Sequence, residues 1–291
     1  MLLCAARVGN RYCSDTTTKV TTIHESQSSI AKALTAHDAM STQRRFKRFE
    51  LNGRVYVVTG GAGGLGVGIV KAIIEAGGKV HVLDWAAEPL ADFHVMKEEK
   101  QQQEDLMAHI AAKHQRVDGL VAAAAVQNVK DALDWTEEET MHMLAVNVGG
   151  VSFSAIAAAR QMEKYGCPGS IILIASMSAL ISNIGLKCHM YNASKAAVVQ
   201  LGRSFAMELG QRINGMPVRV NSLCPGNILT PMLRKNFEDD PPLRAKMESL
   251  NLFGRISGVE EHVGPALLML SDAGSFMTGT SVVVNGGYTA V

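Results

Sequence analysis

A chain of 291 residues is long enough to build one large α/β core, because a single core grows to about 250 residues before chains divide into domains. Its composition is 47% hydrophobic and 19% charged, and its formal net charge of +1 offers no electrostatic footprint for nucleic acid. The apolar runs fall short of the roughly 18 residues that span a bilayer, so neither nucleic acid nor a membrane is an expected partner.

Residues 1–48 are rich in Ser and Thr, show no apolar periodicity, and end in the basic cluster Arg44, Arg45, Lys47, Arg48. Arg7 and Arg11 precede the first acidic residue. The stretch reads either as a disordered tail or as a mitochondrial transit peptide. The folded domain is expected over residues 49–291. The cysteines Cys4, Cys13, Cys167, Cys188 and Cys224 have no CxxC or His-paired spacing. They are expected to be reduced thiols without a metal, in the cytoplasm or, on the transit-peptide reading, the mitochondrial matrix.

Short apolar runs then alternate with helical patterns: 55–59, 80–83, 120–123, 171–175, 218–223 and 281–284. Such alternation predicts βαβ units, a buried parallel sheet and a doubly wound, Rossmann-like α/β domain. The first run leads into Thr59-Gly60-Gly61-Ala62-Gly63-Gly64-Leu65-Gly66 and a helix. Glycines there permit a tight turn and bring backbone amides against a pyrophosphate at the helix N-terminus. About 20 residues on, Asp84 closes the second run, where an acid accepts hydrogen bonds from an adenosine ribose and repels a 2′-phosphate, so NAD is expected over NADP. No apolar run follows that could be a third strand. Residues 97–112 read as one charged helix, leaving the second strand at the sheet edge. Residues 92–96 as a very short strand, or a segment missing from the sequence, are the alternatives.

Thr136-Glu137-Glu138-Glu139 is a capping box opening a helix that carries Asn147 in its interior. The fifth run closes on Ser176-Met177-Ser178. Downstream, Tyr191 and Lys195 lie four apart at the start of a long helix, on one face, so that the ammonium can favour the phenolate. Pro225-Gly226 ends the sixth run, and residues 227–251, with Pro231, Pro241 and Pro242, are too irregular for the sheet and suit a lid.

In this order, Thr59-Gly60-x-x-x-Gly64-x-Gly66, Val146-Asn147-Val148, Tyr191-x-x-x-Lys195, Pro225-Gly226 with Thr230, and Asn285-Gly286-Gly287-Tyr288 resemble the short-chain dehydrogenase/reductase family over residues 50–291. The runs at 120–125 and 174–178 resemble its fungal sorbose, mannitol and xylulose reductase branch. The resemblance implies an NAD(P)-dependent enzyme moving a hydride to or from a carbonyl or secondary alcohol carbon, of a ketose or polyol in the narrower branch. It implies that Tyr191 exchanges the proton, Lys195 tunes it and binds the nicotinamide ribose, and Ser176 orients the substrate oxygen, with Ser178 the alternative. Asn147 would place a water beside Lys195. Thr59, Gly60, Gly64, Leu65, Gly66, Asp84, Pro225, Gly226, Ile228 and Thr230 would line the cofactor with Tyr191 and Lys195, in a homo-oligomeric dimer or tetramer. Where the family has Asn-Asn-Ala-Gly, this chain has four alanines from Ala122 to Ala125, which removes side-chain amides that brace the central strand. An impaired dinucleotide-binding interaction protein and a reductase of bulkier ketones are the competing readings.

Overall fold

Strand β1 (Val55–Thr59) is apolar on both faces because it runs through the middle of a parallel sheet whose two sides are both covered. The computed structural model describes residues 46–84, 95–97, 103–213 and 215–290, and the unit Arg48–Val291 carries the elements below. They are β2 (Lys79–Asp84), β3 (Val95–Lys97), β4 (Gly119–Ala122), β5 (Ser170–Ile174), β6 (Arg219–Pro225) and β7 (Ser281–Val284), in the order β3-β2-β1-β4-β5-β6-β7. Every pairing is parallel.

The period of two along each strand divides the core. Val55, Val57, Leu120, Ile171, Leu173 and Val220 pack on one side with helices α2 (Gln103–His114), α4 (Val151–Tyr165) and α5 (His189–Leu209). Tyr56, Val58, Val121, Ile172, Ile174 and Leu223 pack on the other with α1 (Gly64–Glu75) and, in chain order after two lid helices, α8 (Glu260–Leu270). Strand order reverses between β1 and β4, the switch point where such sheets open a crevice at the strand C-termini.

The expectation of a missing third strand is corrected. β3 pairs outside β2, with Val82 opposite Val95, Leu83 opposite Met96 and Asp84 opposite Lys97, so β2 is not the edge. An edge strand needs a neighbour on one side only, and three residues suffice to continue the ladder without the long apolar run that marks an interior strand. The charged helix starts at Gln103 rather than at 97, and residues 98–102 lie outside the described residues.

One further expectation holds and another changes. The capping box at Thr136 is present, and its helix α3 (Glu137–Leu144) passes into a π-helical turn, Ala145–Gly150, and on into α4. This stretch, Glu137–Tyr165, is long and apolar enough by composition to cross a membrane, with mean hydropathy 1.4 over its most apolar window. Ala155, Ala157 and Ala158 are nevertheless buried against the sheet, as in a core helix. The irregular region after β6 forms α6 (Pro231–Asp239) and α7 (Pro242–Ser249). Proline at the first helical position costs no intrahelical bond, so prolines that exclude a strand begin these helices.

Candidate active site

A cleft of about 980 Å3 opens at the C-terminal ends of the strands. It is lined by Thr59, Gly60, Gly64, Leu65, Gly66, Asp84, Ser176, Tyr191, Lys195, Pro225, Gly226, Ile228 and Thr230, every residue expected there except Asn147. Its volume is at the upper end of the roughly 300–1,000 Å3 of small-molecule sites, which suits a cofactor and a substrate together.

The glycine loop is built for close backbone approach. A Cβ on Gly66 would stand 2.1 Å from the Gly60 carbonyl oxygen, and one on Gly60 2.6 Å from the Ala124 nitrogen. Gly60 and Gly64 also hold φ of 67° and 53°, the left-handed region that glycine adopts without a steric cost. Gly63 caps α1 with no side-chain hydrogen bond, and the first turn has no acidic residue. The positive helix end thus faces the cleft with nothing of its own to neutralise it, which fits a pyrophosphate. Asp84, on β2, accepts a hydrogen bond from the Ala62 nitrogen at 2.9 Å, so the carboxylate expected to meet a ribose also ties down the loop.

The alanine run is braced from outside. The Ala123 nitrogen donates to the Thr59 carbonyl (3.1 Å) and the Ala124 nitrogen approaches Thr59 Oγ1 (3.5 Å). Asn147 bonds both backbone groups of Val126, accepting from its nitrogen at 2.8 Å and donating to its carbonyl at 2.9 Å. Asn147 is wholly buried behind the cleft and also donates to Ser194 Oγ at 3.0 Å. The π turn places it there.

Ser176 follows the end of β5 by two residues and caps a short 3-10 turn, Met177–Ala179. Its hydroxyl lies 3.0 Å from that of Ser178, and Ser178 in turn accepts from Asn183 Nδ2 at 2.6 Å. Of the two serines, Ser176 is the one whose hydroxyl acts on the Tyr191 phenol, opposing the effect of burial. Burial pushes that phenol up to about 12. Burial also pulls the Lys195 ammonium down to about 8. The expected lowering of the phenol by the adjacent cation is therefore not found. Lys195 Nζ lies 5.6 Å from the centre of the Tyr191 ring but donates to the Ile174 carbonyl at 2.8 Å, and desolvation dominates both groups.

Over the cleft, α6 and α7 contribute Leu233, Leu243 and Met247 to an apolar cluster with Leu186 and Cys188, against which Tyr191 and Phe237 pack. Asn236 of α6 donates to Gln127 at 3.1 Å, and Gln127 lines the cleft. Sequence reasoning missed Gln127 and Asn183, because a single amide in a loop carries no periodic signal.

A seven-stranded parallel sheet with a glycine loop at its switch point and a Ser, Tyr and Lys on one cleft wall defines a dinucleotide-dependent oxidoreductase. The chain belongs to the short-chain dehydrogenase/reductase family: residues 60–289 match the family model described as enoyl-(acyl carrier protein) reductase. It is 34% identical over 91% of its length to a short chain dehydrogenase/reductase, notP′, of Aspergillus versicolor, covering 96% of that protein. It is 33% identical to the sorbose reductase sou1 of Schizosaccharomyces pombe, over 82% of this chain and 97% of that one. Among solved structures, it resembles a gluconate 5-dehydrogenase from Burkholderia cenocepacia in complex with NADP and tartrate, with a TM-score of 0.75, 26% identity, and coverage of 84% and 98%. That neighbour holds NADP, so the comparisons do not rank NAD above NADP.

Proposed function

We propose that this enzyme interconverts a ketose or polyol carbonyl with its secondary alcohol, with Tyr191 donating or accepting the proton at its phenol oxygen. The observation that carries the reading is the placement of Ser176, Tyr191 and Lys195 on one cleft together with the glycine loop. Two hydroxyls lining one cleft can share a substrate oxygen, Ser176 orienting it while Tyr191 exchanges the proton. A bound nicotinamide supplies the hydride in reduction and takes it up in oxidation. Lys195 supplies a buried cation beside the phenol, and Asn147 fixes the α5 end through Ser194. The amides of Gln127 and Asn183 on the cleft wall suit a polyhydroxylated chain. The likeness to a sorbose reductase supports the same class. Met141 and Phe153, apolar and exposed on the α3–α4 stretch, support a homo-oligomer.

A panel of ketoses, polyols and apolar ketones, followed at the nicotinamide absorbance band, tests the substrate class. Turnover confined to the hydroxylated compounds is expected. The apolar cluster over Tyr191 favours a second reading, a bulkier ketone, which predicts the opposite selectivity. No turnover with any carbonyl despite cofactor binding would leave the dinucleotide-binding interaction protein.

For the cofactor, Asp84 favours NAD(H), because its carboxylate meets a 2′-phosphate with like charge. Asp84→Ser is expected to narrow the NADH/NADPH ratio of kcat/KM by about tenfold, since one charge contact is worth on the order of 1.4 kcal/mol. Affinity for both cofactors should fall, because Ala62 loses its acceptor. A parent enzyme more efficient with NADPH would refute the preference.

A further inference from the structure

The buried face of α8 carries His262, Ala266, Met269 and Leu270, so an imidazole occupies a position where the helix otherwise presents apolar side chains to the core. His262 has no exposed surface. Its Nε2 lies 2.8 Å from Ser257 Oγ. The Ser257 hydroxyl donates its only proton to the Asn227 carbonyl at 2.8 Å. The ring must therefore be the donor to Ser257, which makes His262 the neutral Nε2–H tautomer. Nδ1 is then a bare acceptor, and it is buried without a partner among the described residues. An aliphatic side chain would fill the position without that desolvation cost, so packing does not account for a histidine here.

Ser257 is joined to the cleft at several points. Its nitrogen donates to Asn227 O at 3.2 Å, its carbonyl accepts from the Leu229 nitrogen at 3.0 Å, and it forms a parallel bridge with Ile228. Asn227, Ile228 and Thr230 line the cleft, and the Thr230 methyl stands 3.6 Å from where a Cβ of Gly64 would lie. The segment held by Ser257 is thus the wall that meets the glycine loop.

We propose that His262 is a positioning residue for cofactor binding: by orienting the Ser257 hydroxyl it fixes the Asn227 carbonyl and, with it, the 227–230 wall against the glycine loop. The histidine touches neither cofactor nor substrate, and it acts only through Ser257. Burial holds its imidazole down at about 4, which keeps the donor neutral across the working range. The proposal rests on the cleft as the dinucleotide site and is independent of the substrate class.

The test measures NADH and NADPH dissociation constants by fluorescence titration, with melting temperature and amide hydrogen exchange as parallel readouts, in His262→Leu, His262→Gln and Ser257→Ala. His262→Leu should keep or raise the melting temperature, weaken cofactor binding about tenfold, the size of one lost buried hydrogen bond, and speed exchange at Leu229. His262→Gln, whose terminal amide can donate as Nε2–H does, should restore the affinity to within about twofold of the parent. Ser257→Ala should match His262→Leu, and the double variant should be no weaker than either. Parental affinity and exchange in His262→Leu would overturn the proposal, as would a lowered melting temperature with no rescue of affinity by glutamine. If His262→Leu does not fold, Ser257→Ala decides: parental affinity there overturns the proposal, and tenfold loss upholds it. Absence of cofactor binding in the parent would instead sink the reading of the cleft.

Discussion

Tyr191→Phe should lower kcat by a factor of about 10²–10⁴, the range that a positioned acid or base contributes, while the cofactor dissociation constant stays within about twofold. The substitution removes the exchangeable proton and leaves the ring that packs against the apolar cluster of Leu186, Cys188, Leu233, Leu243 and Met247. Because the phenol is raised from 10 to about 12, the folded state retains a proton that the unfolded chain loses between those values. Tyr191 thus contributes stability that is fully present below about pH 10 and is lost as pH rises towards 12. Tyr191→Phe should remove its share of that alkaline loss, leaving the share of Tyr56, which burial also pushes up to about 12. Steady-state kinetics, fluorescence titration and thermal melts at alkaline pH check these results together. Near-parental turnover on a substrate used by the parent would show that another group exchanges the proton.

Lys195→Met should lower kcat/KM at least as far and, unlike the tyrosine variant, should weaken cofactor binding, because Lys195 lines the cleft and is its buried cation beside Tyr191. Stability should move the other way. The ammonium is held at about 8, down from 10.5, so between these values the unfolded chain binds more protons than the folded one. Stability therefore rises with pH through that window, and below about pH 8 the desolvation cost of the charge is fully present. Methionine fills the space without a charge but leaves the Ile174 carbonyl without its donor, an opposing and smaller loss. The variant should melt no lower than the parent at neutral pH, and the rise in stability between about pH 8 and 10.5 should disappear. A fall in melting temperature at neutral pH, with cofactor affinity unchanged, would contradict the role assigned to this side chain.

The parts of this site that were legible in the sequence are those with a short-range cause. Gly60, Gly64 and Gly66 are spaced as a tight turn against a helix start requires, and the turn they make leaves no room for side chains. Tyr191 and Lys195 share a helix face because they are four apart, and that relation survives whatever packs around the helix. Thirteen candidate positions fall on one cleft because each closes or follows a strand, and parallel strands present their C-termini together.

What sequence reading misjudged depends on partners distant in the chain. β3 has three residues and no pattern of its own; only its pairing with β2 defines it. The alanine run suggested a slack central strand, yet Thr59 and Asn147 brace it with groups that lie about 65 and 21 positions away. His262 in a helix of otherwise apolar buried positions, five residues after Ser257, has no motif to announce it.

The alternation of strands and helices, the glycine loop and the order of the polar residues that carry the chemistry follow from the order of residues alone, because hydrophobic period, backbone permissiveness and helical spacing are local properties. Only the tertiary structure shows that Lys195 donates to Ile174, and that both ionisable groups are displaced by burial rather than by each other. Desolvation and hydrogen-bond choice are set by everything that surrounds a group, and in this domain the surroundings come from β5, β6, the lid and the far side of the sheet.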